Sequence, residues 1–197
     1  MIAYDMHLSI FLIIIIILSC FSIIIYKIKK THKYSIYGII LFEVYLLCLI
    51  KVVYLPIRMI TDEKLKDIMP MGNDWNAIQI IPFKTLGEVI DANNQLVQIG
   101  GNIVLFMPFV FFIYYMFNER NKIKCIFISF MVILFVEITQ LGIDVLTEYP
   151  NKVCDVDDVI VNMMGVILIT IIINLLKNTR VEKQLVSFFT DNGAKLI

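Results

Sequence analysis

The chain has 197 residues, of which 59% are hydrophobic and 17% are charged, and its mean hydropathy is +0.84. Soluble domains carry about a quarter charged residues, so this composition indicates an integral membrane protein. The formal net charge is zero, which argues against a nucleic-acid partner. The four cysteines lie far apart without metal-ligand spacing, so we expect neither a disulfide nor a zinc site.

Five apolar runs are long enough to cross a hydrocarbon core about 30 Å thick. In chain order they are Leu8–Tyr26, Tyr34–Leu55, Ile99–Phe117, Cys125–Leu146 and Asp155–Leu176. The first run is expected to be a retained span rather than a signal peptide, because the residues before it include no Lys or Arg. The sequence therefore predicts an all-α fold, a polytopic integral membrane helical bundle with five transmembrane helices.

The runs divide the chain into four expected regions. These are two N-terminal transmembrane helices over 1–55, an extracytoplasmic loop with short amphipathic segments such as Lys84–Ile90 over 56–98, a three-helix core over 99–176, and a cytoplasmic tail over 177–197. Pro108 predicts a kink in the third span, and Gly100-Gly101 predicts close approach of a neighbouring helix. Glu43 in the second span is interpreted as a hydrogen-bonding residue of the bundle interior, with a functional acid as the alternative.

The distribution of positive charge predicts the orientation, because Lys and Arg concentrate in cytoplasmic loops. The loops after the first and third spans and the C-terminal segment carry Lys27, Lys29, Lys30, Lys33, Arg120, Lys122, Lys124, Lys177, Arg180, Lys183 and Lys195. The opposite side carries Arg58, Lys64, Lys66, Lys84 and Lys152. We therefore expect the N-terminus outside and the C-terminus in the cytoplasm.

Two spans carry polar residues at helical spacing, which places each set on one helix face. On the fourth span the set is Glu137, Gln140 and Asp144. On the fifth span it is Asp155, Asp158 and Asn162, with Asp157 pointing off the stripe. Gly165 extends this stripe one turn deeper, and we expect a neighbouring helix to approach closely there. The expected orientation places both sets toward the outer leaflet, together with Asn102 of the third span, so we expect them to converge.

Three kinds of chemistry fit such a cluster. Converging carboxylates can hold a hard cation through oxygen ligands. Two crowded carboxylates can also share a proton and serve acid–base catalysis or proton transfer. The structural alternative is a network in which the amides satisfy the acids and Lys152 neutralises one of them. The density of acids within the membrane favours a functional site.

Four motifs occur in a specific order and spacing. They are Ile80-Ile-Pro-Phe83, Gly101-Asn-Ile-Val-Leu-Phe-Met-Pro108, Glu137-Ile-Thr-Gln140 and Asp155-Val-Asp-Asp-Val-Ile-Val-Asn-Met-Met-Gly165. Together they resemble the VanZ-like family, and the resemblance covers roughly Ile80 to Leu176. It implies a small multi-pass protein of the bacterial cytoplasmic membrane. The name-giving member of the family is associated with low-level resistance to teicoplanin, a lipid-tailed glycopeptide.

Carried over by position, the resemblance marks motif residues in all four segments: Pro82, Phe83, Asn102, Pro108, Glu137, Gln140, Asp155, Asp158, Asn162 and Gly165. We predict that the polar site consists of Glu137, Gln140, Asp155, Asp158 and Asn162, and that the substrate contacts Asn102, Lys152, Pro82 and Phe83. Two positions depart from the family pattern. Lys152 stands where the family commonly has Arg, and Val110 where it often has Gly, which bears on specificity and local packing.

The leading functional hypothesis is a VanZ-like envelope protein that lowers susceptibility to teicoplanin through an outward-facing acidic pocket. The first alternative is a membrane enzyme that acts on a lipid-linked or phospholipid headgroup with a divalent cation. The second is a small proton-coupled transporter, although five spans without an internal repeat are unusual for one. The expected partners are membrane lipids and either a lipid-linked envelope precursor or a glycopeptide. No cofactor or metal is assigned.

Overall fold

The computed structural model describes residues 2–28, 34–59, 78–84, 93–147, 149 and 151–190. The amphipathic segment expected over Lys84–Ile90 lies almost wholly outside these residues, as does the end of the expected tail after residue 190. The described residues are mostly helical. The helices are α1 (Leu8–Ile28), α2 (Ile36–Tyr54), α3 (Asn93–Leu105), α4 (Met107–Tyr115), α5 (Lys122–Thr147), α6 (Val156–Leu176) and α7 (Arg180–Phe189).

Within the described residues, five helical segments are long and apolar enough to cross a membrane. They are Leu8–Ile28, Ile36–Tyr54, Val97–Tyr115, Lys122–Thr147 and Val156–Leu176. The third of them consists of α3 and α4 together. Each segment agrees with one of the apolar runs to within a few residues, so the prediction of five candidate transmembrane helices is confirmed.

The third span is broken where the sequence predicts a kink. α3 ends at Leu105 and α4 begins at Met107, with Phe106 between them at φ −99 and ψ −2. Pro108 lies in the first turn of α4, where a helix has no acceptor for its backbone N–H and where the fixed φ of proline is already helical. The predicted kink at Pro108 is therefore confirmed.

Helix α6 is central in the bundle, since it packs against α3, α4 and α5. A Cβ atom at Gly165 would lie 1.8 Å from the carbonyl oxygen of Ile103, so the backbones of α3 and α6 touch there. The close approach that we expected at Gly100 and Gly101 is wrong, because a Cβ atom at either position would meet no described residue within 4 Å. The backbone contact between these helices lies instead at Ile103, which faces α6.

One end of the bundle holds short strands that the all-α prediction did not include. Strand β1 (Ile2–Tyr4) pairs antiparallel with β2 (Ile57–Met59), and β3 (Ile78–Gln79) pairs parallel with β4 (Cys154–Asp155). Asn151 also hydrogen-bonds to the backbone of Arg58. The first pair joins the segment before α1 to the segment after α2, and the second joins the segment before α3 to the segment between α5 and α6. We call this end the cavity end.

The opposite end is closed by α7, which we therefore call the α7 end. Thr179 caps this helix by accepting a hydrogen bond from the backbone N–H of Glu182. Val186 and Phe189 are buried, and the Phe189 ring lies edge-on to Phe112, with 5.7 Å between the ring centroids. The N–H of Ser35 donates to the Phe189 carbonyl over 2.9 Å. The beginning of the expected polar tail is thus a helix docked on α2 and α4.

Glu43 hydrogen-bonds within the bundle. Its carboxylate accepts a hydrogen bond from the hydroxyl of Ser22, which joins α1 to α2. The Lys51 ammonium lies 4.8 Å from the centroid of the Phe11 ring, a second contact between these helices. The hydrogen bond with Ser22 agrees with the interpretation of Glu43 as a hydrogen-bonding residue of the bundle interior.

We expect Gly165→Ala to destabilise the protein by about 1–3 kcal/mol, because the added methyl group forces α3 and α6 apart. Gly142→Ala in α5 is the matched control, since its Cβ would meet no atom within 4 Å in the part of the chain that the structure describes. It should be neutral or stabilising by up to about 1 kcal/mol through helix propensity. SDS titration of the protein in detergent measures the free energy of unfolding of both variants. Equal stability of the two variants would contradict the close backbone contact at Gly165.

Candidate functional site

A cavity of about 770 Å³ opens at the cavity end, between α2, α3, α5 and α6. The polar site residues that line it are Asn102, Glu137, Gln140, Lys152, Asp155, Asp158 and Asn162. The structure therefore brings together every predicted site residue except Pro82 and Phe83. The convergence expected from the two polar stripes and Asn102 is present in the folded chain.

The beginning of α6 uses one of its acids as a cap. Asp155 is the N-cap residue, and its carboxylate accepts a hydrogen bond of 2.8 Å from the N–H of Asp157. The N–H of Asp155 in turn points to a carboxylate oxygen of Glu137 over 3.4 Å. The start of α6 is thereby joined to α5, and the positive end of the helix dipole lies beside these carboxylates.

Deeper in the cavity, Asp158 pairs with an amide from α3. Asn102 donates a hydrogen bond of 2.6 Å from Nδ2 to Oδ1 of Asp158. One turn further along α6, Asn162 is only 4% exposed, and its Oδ1 has no hydrogen-bond partner among the described residues. The floor of the cavity is consequently rich in oxygen acceptors.

Gln140 and Lys152 satisfy the carbonyls that the end of α2 leaves free, as the last four carbonyls of a helix have no partner within it. Gln140 Nε2 donates to the carbonyl of Val53 over 3.0 Å. Lys152 Nζ donates to the carbonyl of Val52 over 2.6 Å. Both residues thus hold α2 against the site while lining the cavity.

The charges around the cavity act on Lys152 and Cys154, which lie in the segment before α6. Burial lowers the pKa of Lys152 from its ordinary value, and the negative charges of Asp158 and Glu137 oppose that change. Burial also raises the pKa of the Cys154 thiol, and the surrounding carboxylates raise it further. Both groups are therefore partly buried beside the carboxylates of the cavity.

Asp144 shares a helix face with Glu137 and Gln140 but lies outside the cavity lining. It is completely buried, and its carboxylate accepts hydrogen bonds from the backbone N–H groups of Asn151, over 2.9 Å, and Lys152, over 3.4 Å. This carboxylate orders the segment that presents Lys152 to the cavity.

Pro82 and Phe83 form an exposed turn beside the cavity. Phe83 has φ 67, a left-handed conformation that a bulky residue rarely adopts, and its side chain is 65% exposed. Its N–H donates a hydrogen bond of 2.6 Å to Oδ1 of Asp157, which stabilises the turn. The prediction that Asp157 points off the polar stripe is correct, and its carboxylate anchors this turn.

The sequence alone did not single out several residues of the cavity. They are Gln79, Lys84, Gln98 and Asn151, together with the apolar residues of its walls. Lys84 directly follows the Pro82-Phe83 pair, which was the available signal for it. Among the residues that the structure describes, no three His, Cys, Asp or Glu side chains are close enough together to hold a metal ion.

The family model described as VanZ/LLP1 matches residues 42–177, more than two thirds of the chain. The chain belongs to the VanZ-like family. The match extends beyond the segment in which the motifs are recognisable and includes most of α2, the helix whose terminal carbonyls bind Gln140 and Lys152. Comparison with curated proteins and with solved structures gave no significant match.

The Asp157–Phe83 hydrogen bond provides a direct test of the turn. Asp157→Ala should destabilise the protein by about 1–3 kcal/mol, because it leaves a backbone N–H without an acceptor in a strained turn. Asp157→Asn retains an acceptor oxygen, so its free energy of unfolding should fall much less than that of the alanine variant. Two measurements check both variants: the hydrogen exchange of the backbone amides in residues 78–84 and the free energy of unfolding. Unchanged protection in the alanine variant would contradict the anchoring role.

Proposed function

We propose that this VanZ-like membrane protein lowers the susceptibility of a bacterial cell to lipid-tailed glycopeptides such as teicoplanin. The observation that carries the proposal is the convergence of Glu137, Asp158 and Asn162 in one cavity at the cavity end of the bundle. Lys152 lines the same cavity. Polar and charged groups in this setting are costly to desolvate, so their concentration in one cavity supports a binding role.

We further propose that the cavity faces the outside of the cytoplasmic membrane. At the α7 end, the acids Glu119 and Glu182 are each paired with a basic residue. The basic residues described there are Lys27, Arg120, Lys122, Lys124, Lys177, Arg180 and Lys183. This excess of positive charge favours a cytoplasmic location for the α7 end and an external location for the cavity.

An outward-facing cavity of this kind suits a ligand of the outer leaflet. Its walls are apolar and its floor is acidic, so a lipid-linked headgroup or the lipid tail of a drug has complementary surfaces to contact. By binding either molecule, the protein would alter how much glycopeptide reaches its target at the membrane surface.

Susceptibility measurements test the proposal. We expect the wild-type chain, expressed in a teicoplanin-susceptible host, to raise the minimum inhibitory concentration, and Glu137→Gln and Asp158→Asn to lose most of that protection. Glu43→Gln is the matched control, because Glu43 is an intramembrane acid outside the cavity lining. It should protect like the wild type at equal membrane abundance. Unchanged susceptibility with the wild type would disprove the resistance role, and full protection by both cavity variants would disprove the role of the cavity.

Cysteine labelling tests the orientation. In a chain whose four native cysteines are replaced by serine, we introduce Lys84→Cys or Lys183→Cys, both at exposed positions. A membrane-impermeant maleimide should label the first variant in intact spheroplasts and the second only after lysis. The reverse pattern would place the cavity in the cytoplasm.

The two alternatives use the same carboxylates and predict different results. A lipid enzyme would change the envelope lipids in a manner abolished by chelation of divalent cations. A proton-coupled transporter would give a pH-dependent flux in liposomes. Either result, obtained with the purified wild-type protein and lost in Asp158→Asn, would replace the binding role proposed above.

A further inference from the structure

The floor of the cavity offers acceptors that the protein leaves unused. Asn162 Oδ1 is buried without a partner, and the second carboxylate oxygens of Asp158 and Glu137 also receive no hydrogen bond from the described residues. A buried acceptor without a donor costs free energy, and Asn162 lines the cavity beside two carboxylates that can still accept hydrogen bonds, so an occupant with donors would complement this group. The complementary group is therefore an ammonium or a hydroxyl.

The same cavity also carries positive charge, since Lys152 and Lys84 line it. Both residues belong to the loop segments that hold the β3–β4 pair, and we call this part of the cavity its mouth. The Lys152 ammonium is fixed by the Val52 carbonyl, which leaves its remaining N–H groups available. Lysine ammonium groups bind phosphate as point charges. The group that suits the mouth is therefore an anion such as a phosphodiester.

Apolar side chains are exposed in the segment that carries Lys84. The side chains of Ile80, Ile81 and Phe83 are 75%, 60% and 65% exposed, next to Lys84. Apolar tips followed by a lysine are typical of a segment at the membrane interface. The cavity walls themselves include Val52, Val53, Leu105, Phe106 and Val136. Acyl chains can thus lie against the protein beside the mouth.

We propose that the cavity binds the headgroup of a phospholipid that carries a hydrogen-bond donor a few atoms beyond its phosphate. The phosphate lies at the mouth with Lys84 and Lys152, and the ammonium or hydroxyl reaches Asp158, Glu137 and Asn162. This inference deepens the proposed function and rests on it, because it names the ligand class of the same cavity.

Short-chain lipids added to the purified full-length protein in detergent test the ligand class by isothermal titration calorimetry. Dihexanoyl phosphatidylethanolamine and phosphatidylglycerol carry the donor and should bind. Dihexanoyl phosphatidylcholine has the phosphate but no donor and should bind at least about tenfold more weakly. Equal affinity for all three lipids would overturn the proposal.

Glycerophosphoethanolamine, which has no acyl chains, distinguishes a lipid from a free phosphate compound. We expect it to bind much more weakly than the acylated form, since it buries no apolar surface. Affinity equal to that of the lipid would assign the cavity to a soluble phosphate ester and overturn the lipid assignment.

Asn162→Ala separates binding from folding. Alanine removes the unpartnered acceptor without adding volume at a position that already borders the cavity, so the protein should melt at about the same temperature. Binding of phosphatidylethanolamine should nevertheless weaken about tenfold or more. A variant with an unchanged melting temperature and wild-type affinity would contradict the proposal, and so would one that is strongly destabilised, because Asn162 would then be structural.

Two neighbouring glycines provide a matched pair for blocking the cavity. Gly101 lines the cavity and Gly100 does not, while a Cβ atom at either position would meet none of the described residues within 4 Å. Gly101→Leu should therefore abolish lipid binding, whereas Gly100→Leu should bind like the wild type. Equal binding by the two variants would place the lipid elsewhere on the protein.

The inference and the proposed function can fail separately. Selective headgroup binding without any change in teicoplanin susceptibility would contradict the resistance role and leave the ligand class standing. Protection against teicoplanin that depends on Glu137 and Asp158, in a protein that does not discriminate among the three lipids, would contradict the ligand class alone.

Discussion

The contact between the backbones of α3 and α6 at Ile103 and Gly165 is the constraint on which the geometry of the site depends. Asn102 is the residue before Ile103, and Asp158 lies two turns before Gly165 on the same face of α6. The distance between the helix axes at the glycine therefore fixes the distance between the amide and the carboxylate. Their hydrogen bond of 2.6 Å, and the width of the cavity beside it, follow from the absence of one side chain.

The acids at the start of α6 have different tasks although they are adjacent in the sequence. Asp155 caps the helix and Asp157 holds the Phe83 turn, so both bind backbone N–H groups. Asp158 points to the cavity, where an amide from another helix supports it. Helical geometry alone explains this division, because successive residues point about 100° apart around the axis. A short acidic motif can thus stabilise a helix terminus, order a loop and line a binding site together.

Periodicity and residue type were sufficient for the parts of the structure that depend on local interactions. The five spans follow from apolar runs, the break before Pro108 from the missing N–H, and the contact at Gly165 from a glycine on a polar helical face. The strand pairs β1–β2 and β3–β4 could not be predicted, since two or three residues give no periodic signal and their partners are distant in sequence. The position of Lys84 at the cavity depends on the β3–β4 pairing, so its adjacency to Pro82 and Phe83 was the available sequence signal for it.

The departure from the family pattern at Lys152 has a physical consequence for the cavity. An arginine there could bridge Glu137 and Asp158 with the two arms of its guanidinium and satisfy both carboxylates. The lysine ammonium instead donates to the Val52 carbonyl at the end of α2, where the helix dipole also favours a positive charge. The carboxylates therefore keep oxygens that no described residue satisfies, and the positive charge stays at the mouth. This separation of charge within one cavity selects a ligand that is itself polarised, with its anionic group toward the opening and its donor toward the floor.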